Sequence, residues 1–231
     1  MCGRFTLRTS PQRLLEGFGA SFPEFSPRYN IAPTQLVLAV RTTPEGTGRQ
    51  AAALRWGLVP SWAKDLKIGA NAVNARAETV AEKPMFRAAI KKRRCLVLAD
   101  GYYEWRADGK AKQPYHFRYE DQRPFAFAGL WESWRGVDGN DAPLETCTII
   151  TTAARGIAAT LHERMPVIIP PIDYDRWIAP QPLEAAKLEA LLHPPLQDEL
   201  VPVPVSKVVN SVKNQGPECL EPADPLFPGL E

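Results

Sequence analysis

The sequence predicts an α+β fold, a single domain over residues 1–231 built on a mostly antiparallel sheet or an open barrel. Three observations carry this expectation. Short runs of strand character recur at 36–41, 51–58, 95–99, 115–119, 124–131 and 145–152, separated by Gly, Pro, Asp and Asn. Helical periodicity is confined to a few short stretches. No internal repeat or linker-like segment divides the chain, and 45% hydrophobic with 23% charged residues is an ordinary globular balance.

After an opening strand, Ser10-Pro11 reads as an N-cap followed by Pro at the first helical position. Leu14, Leu15 and Phe18 share one apolar face, and Gly17 and Gly19 end the helix. The Pro-rich stretch ending in Arg28-Tyr29-Asn30-Ile31-Ala32-Pro33-Thr34 reads as a loop of fixed backbone. Residues 36–41 and 51–58 form a hairpin across Pro-Glu-Gly-Thr-Gly. In the non-helical segment 56–63, one of Trp56 and Trp62 is expected in the core and the other exposed. The polar stretch 71–78 is expected to be extended, which puts Asn74, Arg76 and Glu78 on one face.

Residues 84–92 have helical character, with Met85, Phe86, Ala89 and Ile90 on one side and Lys91-Lys92-Arg93-Arg94 as a solvated last turn. The apolar strand 95–99 is expected to continue through Gly101-Tyr102-Tyr103-Glu104-Trp105, and Asp108-Gly109 turns it into the return strand 115–119. Strands at 124–131 and 145–152 follow, then a helix at 153–160, a strand at 167–169 and helices at 173–178 and 183–192. The Pro-rich tail after 201, acidic at its end from about 217, is expected to lie extended on the surface or to lack fixed structure.

Composition excludes several classes of function. No apolar run of about 18 residues exists to span a bilayer, and no basic-then-apolar leader opens the sequence, so the cytoplasm is the expected location. The four cysteines lack C-x-x-C spacing and only three histidines accompany them, so no zinc site or disulfide framework is expected. Cys95 and Cys147 sit in apolar runs and read as core. A net charge of +2 is too small to bind nucleic acid by bulk electrostatics, so phosphate contacts must come from a local cluster. No glycine cradle for a nucleotide and no G-x-S-x-G elbow is present.

The residues that can do chemistry begin at Cys2. If Met1 is removed, which the small side chain of Cys2 permits, Cys2 presents an α-amine and a thiol on adjacent carbons. The amine can condense with an aldehyde to an imine, and the thiol can then close a five-membered thiazolidine. From position alone, an apolar residue at a frayed start is the simpler reading. Glu104 among aromatic rings is either a carboxylate of raised pKa suited to proton transfer or a solvent-facing strand residue. His162, in Leu-His-Glu-Arg-Met-Pro, is by itself more often structural than catalytic. Arg76 can pair with Glu78, or it can face a phosphate while Asn74 orients a sugar hydroxyl.

Taken together these stretches resemble the SRAP family, named for SOS response-associated peptidase activity and understood as abasic-site processing proteins. The matching segments are Met-Cys-Gly-Arg-Phe at 1–5, Arg-Tyr-Asn-Ile-Ala-Pro-Thr at 28–34, Trp-Gly-Leu-Val-Pro-Ser-Trp at 56–62 and Asn-Ala-Arg-Ala-Glu-Thr at 74–79. Cys-Leu-Val-Leu-Ala-Asp-Gly-Tyr-Tyr-Glu-Trp at 95–105, Ile-Thr-Thr-Ala-Ala at 150–154, Leu-His-Glu-Arg-Met-Pro at 161–166 and Val-Lys-Asn-Gln-Gly at 212–216 complete the set.

The resemblance implies a β-barrel-like centre and a positively charged groove for single-stranded DNA. It implies that Cys2 becomes the N-terminus and captures the ring-opened aldehyde of an abasic site as a thiazolidine crosslink, with autopeptidase and lyase activities compatible with the same residues. Asn74 then resembles the residue holding the opened sugar, Glu104 the proton shuttle and His162 a second acid/base group. Arg4, Arg76 and Arg164 resemble phosphate contacts, and Asn30, Pro33, Trp62 and Thr151 groove residues. No cofactor is implied, and the protein is expected to act as a monomer. Two readings from other classes stay open: an amidohydrolase of the N-terminal-nucleophile type, which Met-Cys-Gly also opens, and a non-catalytic single-strand-binding module.

Overall fold

Five strands close into a barrel at the centre of the computed structural model, which describes residues 2–108, 111–137, 139, 142–194 and 200–223. In chain order the elements are β1 (Phe5–Leu7), α1 (Pro11–Phe18), β2 (Arg28–Ile31), β3 (Leu36–Thr42), β4 (Arg49–Trp56), β5 (Asn74–Arg76), α2 (Ala89–Lys92) and β6 (Arg94–Ala99). Then come β7 (Gly101–Asp108), β8 (Ala111–Arg118), β9 (Phe125–Trp134), β10 (Leu144–Ala153), β11 (Arg164–Pro166), β12 (Ile168–Ile169), α3 (Tyr174–Ile178), α4 (Ala185–Leu192) and β13 (Val201–Pro204).

One sheet runs β11-β10-β4-β3-β6-β9-β12, with β5 added on β10; because β9 also pairs with β10, the strands β10-β4-β3-β6-β9 form a closed ring. All of its pairings are antiparallel except those of β10 with β4 and with β5. Cross-strand partners Ala39, Ala52, Val97, Phe127, Cys95 and Gly129 share the inner face. Gly129 is required there: a Cβ would sit 2.8 Å from both Cys95 Sγ and Val97 Cγ2.

The second sheet runs β13-β8-β7-β1-β2 and packs on the barrel through aromatic rings. Phe5 meets Trp56 and Phe127 edge-on at 5.2 and 5.6 Å, and Tyr102 stacks on Phe117 at 4.9 Å. Alternation along β7 then divides its side chains. Tyr102 belongs to the main core, whereas Tyr103 joins a smaller cluster with Val205, Val209 and Cys219 on the other face.

A buried polar network ties β1 to the start of β7 and to His116 on β8. Asp100 accepts from Thr6 Oγ1 (2.6 Å), Thr9 N (2.9 Å), Thr9 Oγ1 (3.1 Å), Arg8 Nε (3.2 Å) and the Arg8 amide. Thr6 Oγ1 donates its proton to Asp100, so it accepts from His116 Nε2 at 3.0 Å. Gly101 leaves the space this needs, since a Cβ there would fall 2.0 Å from His116 Nε2.

Several expectations change in the folded chain. Helix α1 starts as expected, with Ser10 accepting from the Arg13 amide and Gly19 ending it at φ 66°, but Gly17 lies inside it and Leu15 is 40% exposed. Arg28–Ile31 is a strand, because β1 supplies the ladder partners that local composition cannot reveal. The 84–92 helix contracts to α2, and 153–160 is 3₁₀ from Gly156. Glu78 leaves the extended stretch in a 3₁₀ turn at Ala77–Thr79. Strands β6 and β7 are separate and lie in different sheets, with Asp100 at the break.

Arg94 is buried rather than solvated, donating to the carbonyls of Trp177 (2.5 Å), Ile90 (2.7 Å), Lys91 (3.0 Å) and Gln181 (2.8 Å). The tail does not simply lie on the surface either: β13 extends the second sheet, and Val205, Val209 and Cys219 are buried. Cys95 and Cys147 are core, as expected. The strands flanking the 108–109 turn pair as expected, but Gly109 and the acidic end from 224 lie outside the described residues.

Candidate active site

Cys2 leads directly into β1, so whatever fixes β1 fixes Cys2. The pairing Phe5↔Tyr102, with Tyr103 N donating to Arg4 O at 3.0 Å, holds the start of the chain along β7, the strand that carries Glu104. Cys2 is wholly buried, and its carbonyl accepts from Asn74 Nδ2 at 2.8 Å. Asn74 is delivered by β5, whose parallel pairing with β10 places it opposite Ile149. The Asn74 Oδ1 is buried without a partner among the described residues.

Glu104 is 4% exposed, and burial pushes its carboxyl up while the charge of His162 pulls it partly back. Burial also raises the Cys2 thiol, and the charge of Glu104 adds to that rise. The Tyr102 hydroxyl is raised by burial and then by Cys2 and Glu104. Three buried groups therefore share one desolvated field, Cys2, Tyr102 and Glu104, with half-buried His162 at its edge. Tyr102 escaped sequence reasoning, although its position two residues before Glu104 puts both on one face of β7.

His162 is half-buried where the 3₁₀ turn enters β11. The Arg164 amide donates to its Nδ1 at 2.9 Å, so the neutral ring carries its proton on Nε2. That arrangement suits a group that donates or relays a proton at Nε2.

The arginines are held in different ways. Arg164 forks onto Glu78 at 2.5 and 2.9 Å and donates to Thr151 O at 2.6 Å; the pair holds the Glu78 carboxyl below its usual range. Glu78 thus takes Arg164 rather than Arg76, which is exposed on β5. Arg4 Nη1 donates to Asn30 Oδ1 at 2.9 Å and Val209 O at 3.1 Å, and the guanidinium lies 6.0 Å from the Trp105 ring.

Of the expected groove residues, Trp62 is 58% exposed and Pro33 half-buried. Asn30 and Thr151 have essentially no exposed surface. Asn30 is taken up by internal hydrogen bonds, and Thr151 faces Arg164. Cys2, Asn74, Glu104 and His162 come together, and no group of three or more His, Cys, Asp or Glu suited to a metal occurs among the described residues.

Comparison with known proteins gives this arrangement a family. The family model described as SOS response associated peptidase (SRAP) matches residues 1–212. The chain belongs to the SRAP family. It is 43% identical over 226 residues to the abasic site processing protein YoqW of Bacillus subtilis, covering 96% of this chain and 99% of that protein. It is 32% identical to the abasic site processing protein HMCES of Gallus gallus, covering 94% of this chain and 70% of that one. A crystal structure of a Bacteroides thetaiotaomicron protein has the same fold, with TM-score 0.84, 24% identity and coverage of 96% of this chain and 100% of that chain.

Proposed function

We propose that this SRAP chain processes abasic sites in single-stranded DNA, capturing the ring-opened sugar covalently through Cys2 once Met1 has been removed. The observation that carries the reading is the burial of Cys2 in one field with Glu104, its carbonyl tied to Asn74. No stable core needs a carboxylate beside a thiol; proton transfer at a nucleophile does.

The chemistry is a condensation. The Cys2 α-amine adds to the aldehyde carbon, and the carbinolamine loses water as Glu104, in its protonated form, gives a proton to the departing hydroxyl. The protonated imine that remains meets Glu104 as a carboxylate, which takes the proton of the buried thiol as sulfur adds to the iminium carbon and the C=N electron pair returns to nitrogen. One aldehyde and one aminothiol become one thiazolidine and one water, with no oxidant. The raised Glu104 carboxyl suits both halves of that exchange. His162 Nε2 serves the sugar oxygen during ring opening, and the open acceptor of Asn74 Oδ1 takes a hydroxyl of the opened sugar.

Arg4, Arg76 and Arg164 bind backbone phosphates, exposed Trp62 with Pro33 receives the unstacked strand, and Thr151 acts through Arg164. Lesion selection then follows from missing stacking and an available aldehyde, not from base readout. The protein acts as a monomer in the cytoplasm; no helix among the described residues is long and apolar enough to cross a membrane.

The test is intact mass before and after incubation with a single-stranded oligonucleotide carrying one abasic site. Protein lacking Met1 should shift by one oligonucleotide, stably to heat, and Cys2→Ala should not shift while still binding. A Met1-free protein that never shifts refutes the covalent reading, and glutaminase activity in that sample would establish the amidohydrolase instead.

A further inference from the structure

Asn30 has no exposed surface, yet every polar atom of its side chain is in use. Its Oδ1 accepts from Arg4 Nη1 at 2.9 Å. Its Nδ2 lies 3.2, 3.0 and 2.8 Å from the carbonyls of Val209, Ser211 and Asn214. Its own carbonyl accepts from Gln215 Nε2 at 3.0 Å. Arg4 Nη1 also reaches the Val209 carbonyl, so the cation and the amide grip the same turn of chain. Nearby, Trp105 Nε1 donates to Asn210 Oδ1 at 2.7 Å, which ties the same segment to the strand carrying Glu104.

We propose that Asn30 is a positioning residue: it orients Arg4 toward a DNA phosphate and fastens residues 206–216 as a strap beside the site. This rests on the reading of Arg4 as a phosphate contact. Only an amide fits the position. An acceptor must face the guanidinium while donors face three carbonyls, which Asp cannot supply and Leu cannot supply at either end. Because the partner of Arg4 is a neutral amide, the guanidinium keeps its full positive charge, unlike Arg164 opposite Glu78. With both Nη1 protons directed inward, the Nε and Nη2 edge takes no partner among the described residues and is the edge left for an anion.

The experiment measures binding of an unmodified single-stranded oligonucleotide by fluorescence anisotropy across a salt series, so that no covalent step intervenes. Wild type, Asn30→Leu, Arg4→Gln and the double variant are compared. Loss of one phosphate contact flattens the log–log salt slope by about 0.7 and weakens binding roughly five- to tenfold. Arg4→Gln should show that loss, Asn30→Leu should reproduce it, and the double variant should be no worse than Arg4→Gln alone. Asn30→Leu that is less heat-stable but binds with the wild-type slope overturns the inference, as does full additivity in the double variant.

If Asn30→Leu does not fold, Gln215→Ala, which removes the strap's tie to the Asn30 carbonyl together with a bond inside the strap to Val212 O but leaves the Asn30–Arg4 pair, carries the test. A flattened slope supports the inference and a wild-type slope overturns it. Failure of the underlying functional reading is visible separately: wild type would bind without salt dependence, or Arg4→Gln would bind as wild type does.

Discussion

Acidification from pH 7 to pH 5 should destabilise the protein through one residue, His116. The ring is 2% exposed, and burial, helped by the charges of Arg8 and Arg118 against the opposing pull of Asp100, takes its pKa down to about 3. In the unfolded chain it titrates near ~6.5. Between those values the unfolded state binds a proton that the folded state refuses, so stability falls as pH falls. Integrating the linkage from pH 7 to 5 gives a loss of about 2 kcal/mol, or a melting temperature roughly 4–8 °C lower for a chain of this size. Asp100 is not the cause in this window: its folded carboxyl lies below the usual value, held there by Arg8 and by hydrogen bonds from Thr6 and Arg8 against the raising effect of burial. The stability it contributes is lost only at lower pH.

The assay is thermal melting of wild type and His116→Gln at both pH values. Gln can still donate to Thr6 Oγ1 but does not titrate. The wild-type drop should exceed that of the variant by the stated amount, and parallel pH profiles would refute the assignment of His116 as a buried neutral donor.

Glu104→Gln should slow adduct formation by about 10²–10⁴, read from single-turnover gels, because it removes the proton shuttle. The same variant should melt higher at pH 8: a buried carboxyl whose folded pKa is raised loses stability as pH rises through that value, and Gln has no charge to bury. Wild-type rate and wild-type melting together would remove Glu104 from the mechanism. Asn74→Ala should weaken capture of the abasic oligonucleotide by about tenfold or more, with unmodified strand bound as before; equal loss on both strands would assign Asn74 to the fold alone. Gly101→Ala should cost roughly 3 kcal/mol or more by denaturant titration, since its Cβ would enter the space of His116 Nε2. Asp100→Ala should cost roughly 3–5 kcal/mol, because Thr6, Arg8 and Thr9 donors are left buried opposite nothing; a change under 1 kcal/mol would show that water replaces it.

Much of this architecture was legible in local pattern. The strand at 95–99 declared itself because burial of both faces demands an apolar run, those at 36–41 and 145–152 because aliphatic and β-branched residues suit a pleated strand, and α1 because Ser10, Pro11 and Gly19 satisfy helix ends within a few residues. Arg28–Ile31 could not be read so: its ladder partner β1 lies more than twenty residues away, and Arg, Tyr and Asn in sequence look like a loop until that partner is present. The break between β6 and β7 was hidden for a similar reason. Asp100 looks like an interruption within one strand, and only the arrival of Thr6, Arg8 and Thr9 turns it into a hinge between sheets.

At the site, chemical identity was present in the sequence and pairing was not. Cys2 beside the chain start, Glu104 among aromatic rings, and His162 and Asn74 in polar patches are choices of residue type, and reactivity belongs to residue type. Which carboxylate meets which arginine is a matter of distance in space: Glu78 sits two residues from Arg76 yet binds Arg164, because β5 and β11 flank β10 and bring positions 78 and 164 together. Asn30 shows the same division. Family resemblance places it in the groove, but its partners at 4, 209, 211 and 214 exist only once both ends of the chain are folded against β2, and it is burial there that makes a surface-like residue an internal one.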